Sequence, residues 1–279
     1  MQEEGICAIV CLDEKGSGVM KLYTLIENTG YEPGLHCEHG LSLYIEACGK
    51  KILFDAGESG AFADNAKQMG IDLSGVELAV LSHGHSDHSG GFLRFFKENN
   101  TAPVYLQKSA LEDQYGSQGN YIGLSPELKA SDRLRFVGDS CQIGEGLTLI
   151  CGSSISESRP IDNAGLTVCK NGTCFPDTFG HEQYLLIREA GKRILLSGCS
   201  HRGILNIAEQ FKPDVLVGGF HFFKQQPDSP MVTAAAHELL NLPTVYYTGH
   251  CTGEEQYKTM KKIMADRVRY LSTGTVIEI

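Results

Sequence analysis

No run of 18 consecutive apolar residues occurs in the 279-residue chain, so the sequence offers no helix that would span a bilayer. Basic charge is also scarce. The 24 lysines and arginines face 34 aspartates and glutamates, a net charge of −10. A surface of that sign repels a polyphosphate backbone at long range, which disfavours nucleic acid as a partner. The chain opens on MQEEG rather than on basic residues, and the apolar stretch from Ile6 to Leu12 is too short for a signal-peptide core. The expectation is a cytoplasmic protein without a membrane partner. No G-x-S-x-G elbow, P-loop or G-x-G-x-x-G fingerprint is present, which leaves serine-nucleophile chemistry, nucleoside triphosphate use and dinucleotide binding unsupported. A short-period repeat is missing as well, and with it any solenoid.

What is there is a chain, 42% hydrophobic, long enough to bury a full core. That size fits one domain over residues 1–279. The ten cysteines are scattered, several in apolar runs such as IEAC and TLIC, where a thiol acts as a small hydrophobe. Cys169 and Cys174 flank Lys-Asn-Gly-Thr, and Asn-Gly favours a tight hairpin that would set them opposite one another. A reducing cytoplasm argues against a disulfide there. Lys258, Lys261, Lys262, Arg267 and Arg269 gather near the C-terminus and read as a solvated helix face.

The stretch that organises the rest is Glu77 to Gly91, ELAVLSHGHSDHSGG, an apolar strand breaking into three histidines and an aspartate. Neutral imidazoles suit zinc and iron(II), and a carboxylate adds negative charge. His83 and His85 are two apart, so on an extended loop end they point the same way and share one ion. Asp87 and His88 follow at the turn into a helix expected over Ser89 to Lys97, placed for a second ion. Gly84, Gly90 and Gly91 let the backbone pass closely without Cβ clashes.

Upstream, Val19 to Glu27, Leu41 to Ala47 and Lys51 to Phe54 read as strands, the last two as a hairpin. The loop before Leu41 carries His36, Cys37, Glu38 and His39, a spacing that could hold a metal. Ala61 to Met69 reads as a helix stopped by Gly70. Beyond the motif come a strand Pro103 to Leu106, a short helix Lys108 to Asp113, and a polar, glycine-rich insertion, Gln114 to Arg133, over the site. Tyr115 and Tyr121 are its candidates to reach a pocket. Strands Leu134 to Val137 and Gly146 to Ile150 precede a second irregular region, 153–180. Then come strands Glu182 to Arg188 and Arg193 to Leu196, a helix Ile204 to Phe211, and a strand Val215 to Val217. A helix Thr233 to Leu240, a strand Thr244 to Tyr247, a helix Glu254 to Met264 and strands Val268 to Leu271 and Thr275 to Ile279 complete the order. Several strands end in histidine-bearing loops: Cys199 and His201 after the first, His221 in GGFHF, and His250 in TGHCTG.

SHGHSDHSGG resembles the signature of the metallo-beta-lactamase superfamily. GLSLYIEACGKKILFDAG before it, and LLSGCSHRGILNI, VGGFHF and TGHCTG after it, are similar to the subgroup of dihydropterin ribofuranosyl-aminobenzene phosphate synthase-like metal hydrolases. The similarity runs from about Leu22 to the C-terminus. It implies an α/β fold of four layers, αββα, with ligands from distant segments meeting at one edge. It also implies that Asp55 orients a ligating imidazole from behind, and that His39 lines the active-site mouth.

The superfamily's usual members supply a histidine in a GHTPG-like turn and a bridging aspartate after a strand ending in glycine. Here Gly180-His181-Glu182-Gln183 lacks the Pro-Gly turn, and Cys199 stands at the aspartate's place. The expected sets are therefore His83, His85 and His201 for one ion and Asp87, His88 and His250 for the other. Cys199 lies adjacent, His181 outside, and His221 touches substrate.

Two divalent transition-metal ions, zinc first with manganese or iron as alternatives, acidify a water to a pKa of roughly 7. Asp87 then orients the nucleophile or takes its proton. The expected function is metal-dependent hydrolysis of a small, phosphorylated or cyclic organic substrate by metal-bound hydroxide. The alternatives are a pterin-linked carbon–nitrogen bond-forming synthase acting on a phosphorylated substrate, and a redox iron enzyme.

Overall fold

The structure is a computed structural model that describes residues 18–279 apart from residue 171. The first half runs β1 (Lys21–Ile26), β2 (Ser42–Ala47), β3 (Lys50–Phe54), α1 (Ala61–Gln68), β4 (Leu78–Val80), α2 (Ser86–Ser89), α3 (Phe92–Glu98), β5 (Val104–Gln107), β6 (Asp113–Tyr115), α4 (Pro126–Lys129) and β7 (Leu134–Val137). The second half runs β8 (Ser140–Gly144), β9 (Leu147–Cys151), β10 (Thr167–Lys170), β11 (Thr173–Pro176), β12 (Gln183–Glu189), β13 (Lys192–Leu196), α5 (Ile204–Phe211), β14 (Val215–Val217), α6 (Pro230–Leu240), β15 (Val245–Thr248), α7 (Glu254–Met264), β16 (Val268–Tyr270) and β17 (Val276–Glu278).

Two seven-stranded sheets result, ordered β17-β1-β2-β3-β4-β5-β7 and β16-β15-β14-β13-β12-β9-β8. Strands β3, β4, β5 and β7 are parallel neighbours, and so are β13, β14, β15 and β16. Parallel neighbours need a crossover, and helices supply it in both halves. The central strands β4 and β14 are apolar and buried on both faces because both faces are covered. Ile52 and Phe54 of β3, with Leu78 and Val80 of β4, meet Leu185, Ile187, Ile194 and Leu196 between the sheets. Leu53 and Ala79 point the other way, onto Phe62, Phe92 and Phe95 of α1 and α3. Leu195 and Leu216 likewise pack under α5, α6 and α7. The four αββα layers expected from the sequence are therefore present. Phe54 is fully buried between the sheets, so Phe54→Ala is expected to cost about 3–5 kcal/mol of unfolding free energy, measured by urea titration.

Local chemistry sets several boundaries. Helix α6 starts at Pro230 rather than Thr233, because the Ser229 side chain accepts from Val232 N–H and proline occupies the first turn. The helix expected over Ser89 to Lys97 is split into α2 and α3 with Gly90 and Gly91 between them. A Cβ on Gly90 would lie 2.0 Å from the Glu58 carbonyl oxygen, and one on Gly91 2.1 Å from that of Ala56. The glycines are there for close approach.

Three expectations are corrected. The short helix over Lys108 to Asp113 ends at Leu111 as a 3-10 turn, and Asp113–Tyr115 pairs as a strand with β10. The second irregular region contains the hairpin β10–β11. In that hairpin Cys169 and Cys174 are register partners and are joined by a disulfide, against the expectation of free thiols. Of the C-terminal basic residues, Lys258, Lys261 and Lys262 lie on α7, where Lys258 pairs with Glu254 and Glu255 and Lys261 with Asp266. Arg267 and Arg269 are not on that helix face, Arg267 donating to the Thr244 carbonyl and Arg269 sitting on β16. No helix among the described residues is long and apolar enough to cross a membrane.

Candidate metal centre

The chemistry-bearing residues lie just beyond the C-terminal ends of parallel strands, the edge where open α/β sheets place their ligands. Asp55 follows β3, His83 and His85 follow β4, and α2 carries Asp87 and His88. Cys199 and His201 follow β13, His221 follows β14, and His250 follows β15. Asp55, Ser200, His221 and His250 all adopt left-handed backbone, with φ of 58°, 57°, 57° and 49°. Non-glycine residues held this way store strain that the surrounding packing must sustain, and such residues cluster at functional sites.

The structure brings the ring nitrogens of His83, His85 and His201 within 4.8 Å of one another. The Nε2 atoms of His83 and His85 and both nitrogens of His201 are buried without a hydrogen-bond partner. A buried polar atom left so is costly, and it calls for a ligand. Phe179 stacks on the His201 ring, centroids 4.4 Å apart, and fixes its plane. The Glu182 carboxylate accepts from the backbone N–H of His201 at 2.7 Å and of Arg202 at 3.0 Å, and so holds the loop that presents the ring.

The second set meets next to the first. His88 Nδ1 bonds Asp55 Oδ2 at 2.7 Å, and His250 Nδ1 bonds Asn28 Oδ1 at 2.9 Å. Both acceptors require the proton on Nδ1, so the two Nε2 atoms, 3.1 Å apart, present lone pairs to each other. Asp87 Oδ2 lies 3.3 Å from His250 Nε2 and 3.7 Å from His88 Nε2. Three acceptors converging on one point favour a positive charge between them. The donors fit a divalent transition metal, imidazole and carboxylate being its usual ligands.

Asp55 serves both sets. It accepts from Ser82 N–H and Ser82 Oγ, each at 2.7 Å. With its hydroxyl proton given to Asp55, Ser82 Oγ accepts from His83 Nδ1 at 2.8 Å. One carboxylate thereby sets the tautomer of His88 directly and of His83 through a serine.

His181 is different. It accepts the Gly84 N–H at Nδ1, 2.9 Å, and faces Asp177 Oδ2 with Nε2 at 3.0 Å. Both nitrogens are engaged, and Nε2 must carry the proton. Of the loop 36–39, only His39 reaches the cluster: its Nε2 is 3.3 Å from Asp87 Oδ2. Glu38 is occupied by the backbone N–H groups of Glu58 and Ser59, and Cys37 is exposed elsewhere.

Burial pushes the His83 and His201 imidazoles well below the ordinary histidine value, and neighbouring histidines add to it. Burial also pushes His85 down to about 3 and His250 to about 4. For His88, burial acts downward too, but Asp87 and Asp55 outweigh it and raise the value. Four rings that stay neutral when folded but titrate near 6.5 when unfolded make the unfolded chain the stronger proton binder in acid. Metal-free protein is therefore expected to lose stability as pH falls below about 6.5, by up to about 1.4 kcal/mol per pH unit for each ring, with His88 opposing. Urea titrations at about pH 7 and about pH 5 read this directly.

The cluster opens into a cavity of about 420 Å³. His221 lines it, its ring 4.3 Å from that of His201, and so do His39, Phe223 and Lys224. Gly116, Ser117, Gln118, Asn120, Tyr121 and Ile122 of the expected insertion also line it, and the Tyr115 ring lies 5.6 Å from that of Tyr121.

The sequence profile of the metallo-beta-lactamase superfamily matches residues 37–150. The crystal structure of a metal-dependent hydrolase of the beta-lactamase superfamily superposes with a TM-score of 0.80 at 29% identity, covering 93% of this chain and 99% of that one. In sequence and in fold the chain is similar to the metallo-beta-lactamase superfamily. Two proteins of Methanocaldococcus jannaschii are similar along almost their whole length. One, uncharacterized, is 28% identical over 91% of this chain and 98% of its own. The other, a 7,8-dihydropterin-6-methyl-4-(beta-D-ribofuranosyl)-aminobenzene-5'-phosphate synthase, is 26% identical over 93% and 96%.

Within this metallo-beta-lactamase fold, several supporting residues carry no motif signal. Asn28, Asp177 and Glu182 are single polar residues in strand ends or loops. Only their contacts across the fold reveal what they hold.

Proposed function

We propose that the protein is a metal-dependent hydrolase of a small organic substrate, working with two zinc ions. The observation that carries this reading is the pair of adjacent donor sets whose buried nitrogens lack partners beside a cavity. His83, His85 and His201 would hold one ion, and Asp87, His88 and His250 the other, with Cys199 alongside. Such ions supply Lewis acidity and an acidified water at neutral pH.

The chain's own residues do the rest. Asp87 accepts from His39 Nε2 and lines the cavity, where it can position a nucleophilic water or take its proton. Its hydrogen bond to Asp87 raises the pKa of His39, which favours the cationic form of the imidazole at the mouth. Lys224, also lining the cavity, is a second cation there. Together they suit an anionic group such as a phosphate. His221 borders the same space and would contact the substrate.

Zinc-reconstituted protein is expected to turn over at least one member of a phosphoester, lactone and thioester panel, with loss on chelation and recovery on adding zinc back. A protein that binds zinc yet turns over nothing would contradict the reading. The relative named as a synthase supports a second reading, bond formation on a phosphorylated pterin-linked substrate. Product formation without hydrolysis would favour it.

A further inference from the structure

Two cysteines meet at the floor of the cavity, and the hydrolytic reading gives neither a chemical step. Cys199 and Cys251 are both buried, 3% and 2% exposed, yet both border the cavity. They arrive from different strands, Cys199 after β13 and Cys251 after β15. Their sulfurs and a ring nitrogen of His250 lie within 4.8 Å of one another. Cys251 Sγ is 3.6 Å from the Cys199 carbonyl oxygen, and a Cβ on Gly219 would come within 2.3 Å of that sulfur. Glycine at 219 thus leaves the space that the Cys251 thiol fills. Cys199 Sγ is 3.2 Å from His88 Nε2 and belongs to a donor group with His83 and His88. The pair therefore touches both candidate ion positions.

We propose that Cys199 and Cys251 form a peroxide-sensitive dithiol whose oxidation removes Cys199 from the metal-donor cluster. A small oxidant of the peroxide class reaches the sulfurs through the cavity. One thiol attacks the peroxide, the oxygen–oxygen bond breaks, and a sulfenic acid forms as one water departs. The second thiol attacks that sulfur, a sulfur–sulfur bond forms, and the sulfenic oxygen leaves as a second water. Two electrons and two thiol protons pass from the dithiol to the peroxide in total. Forming the bond draws Cys199 Sγ toward Cys251 and away from His88. The bridge itself follows from the thiol geometry alone; its effect on metal occupancy rests on the proposed metal centre.

Trypsin separates the two cysteines cleanly, Cys199 in peptide 194–202 and Cys251 in peptide 225–258. Metal-stripped protein treated with hydrogen peroxide is expected to yield the disulfide-linked pair of these peptides in non-reducing mass spectra. Dithiothreitol should dissolve the link, and Cys251→Ser and Cys199→Ser should each lack it. Oxidised wild-type protein is then expected to bind zinc more weakly than reduced protein in titration against a competing chelator, with the difference absent in Cys251→Ser. No linked pair at peroxide levels that oxidise the exposed Cys37 would overturn the proposal. A linked pair with zinc affinity unchanged would overturn the coupling to the metal. Reduced protein that takes up no zinc would count against the metal centre, and the peptide link would still decide the dithiol.

Discussion

His201→Ala is expected to retain about one zinc ion fewer per chain than His181→Ala after reconstitution and dialysis, because a three-residue site that loses a ligand falls below the usual protein donor count. The two histidines are easily confused in the sequence, since His181 stands where the superfamily's usual pattern has a ligand. Their surroundings separate them. His201 has both ring nitrogens buried and unpartnered, beside His83 and His85. His181 spends one nitrogen on the Gly84 N–H and the other on Asp177. Its loss would loosen the backbone between His83 and His85 without deleting a donor. Elemental analysis of both variants reads the difference. Loss of an ion from His181→Ala with both kept in His201→Ala would reverse the assignment.

Asp55→Ala is expected to damage stability and metal affinity together. The carboxylate is fully buried and accepts three hydrogen bonds, from Ser82 N–H, Ser82 Oγ and His88 Nδ1. Removing it strands these donors in the interior, a loss of the kind that costs about 3–5 kcal/mol when one partner of a buried charged pair is deleted. Metal affinity should fall about 10–100-fold at both positions, since outer contacts that orient ligating histidines carry effects of that size. Both positions are affected because Asp55 sets His88 directly and His83 through Ser82. Zinc titration against a competing chelator, with urea unfolding of the metal-free protein, separates the two effects.

Much of this architecture was legible from residue pattern. Ile204–Phe211, Val215–Val217 and Glu254–Met264 were read to the residue, because each is strongly periodic or uniformly apolar between clear stop signals. The clustering in HGHSDH pointed to a metal site, and the loop ends after β13 and β15 pointed to its remaining donors. Strand β8 was not legible, and of the β10–β11 hairpin only the Asn-Gly turn signal was, not the extent of its strands. Strand β8 has no buried residue and β11 is exposed along its whole length, so no buried face imposes an alternation. Asn28 and Glu182 were missed for another reason. Asn28 is 222 residues from His250, the ring it orients, and Glu182 reads as the first residue of a strand while serving the loop that carries His201. Such roles exist only once distant segments meet. The Cys169–Cys174 pairing was visible in the hairpin signal, but an assumed reducing compartment argued it away.

If the two adjacent donor sets each hold an ion, crystals of zinc-reconstituted protein measured with X-rays on either side of the zinc absorption edge will show it. One anomalous peak is expected among His83, His85 and His201 and a second among Asp87, His88 and His250. No peak at these positions, or a peak between His181 and Asp177 instead, would contradict it.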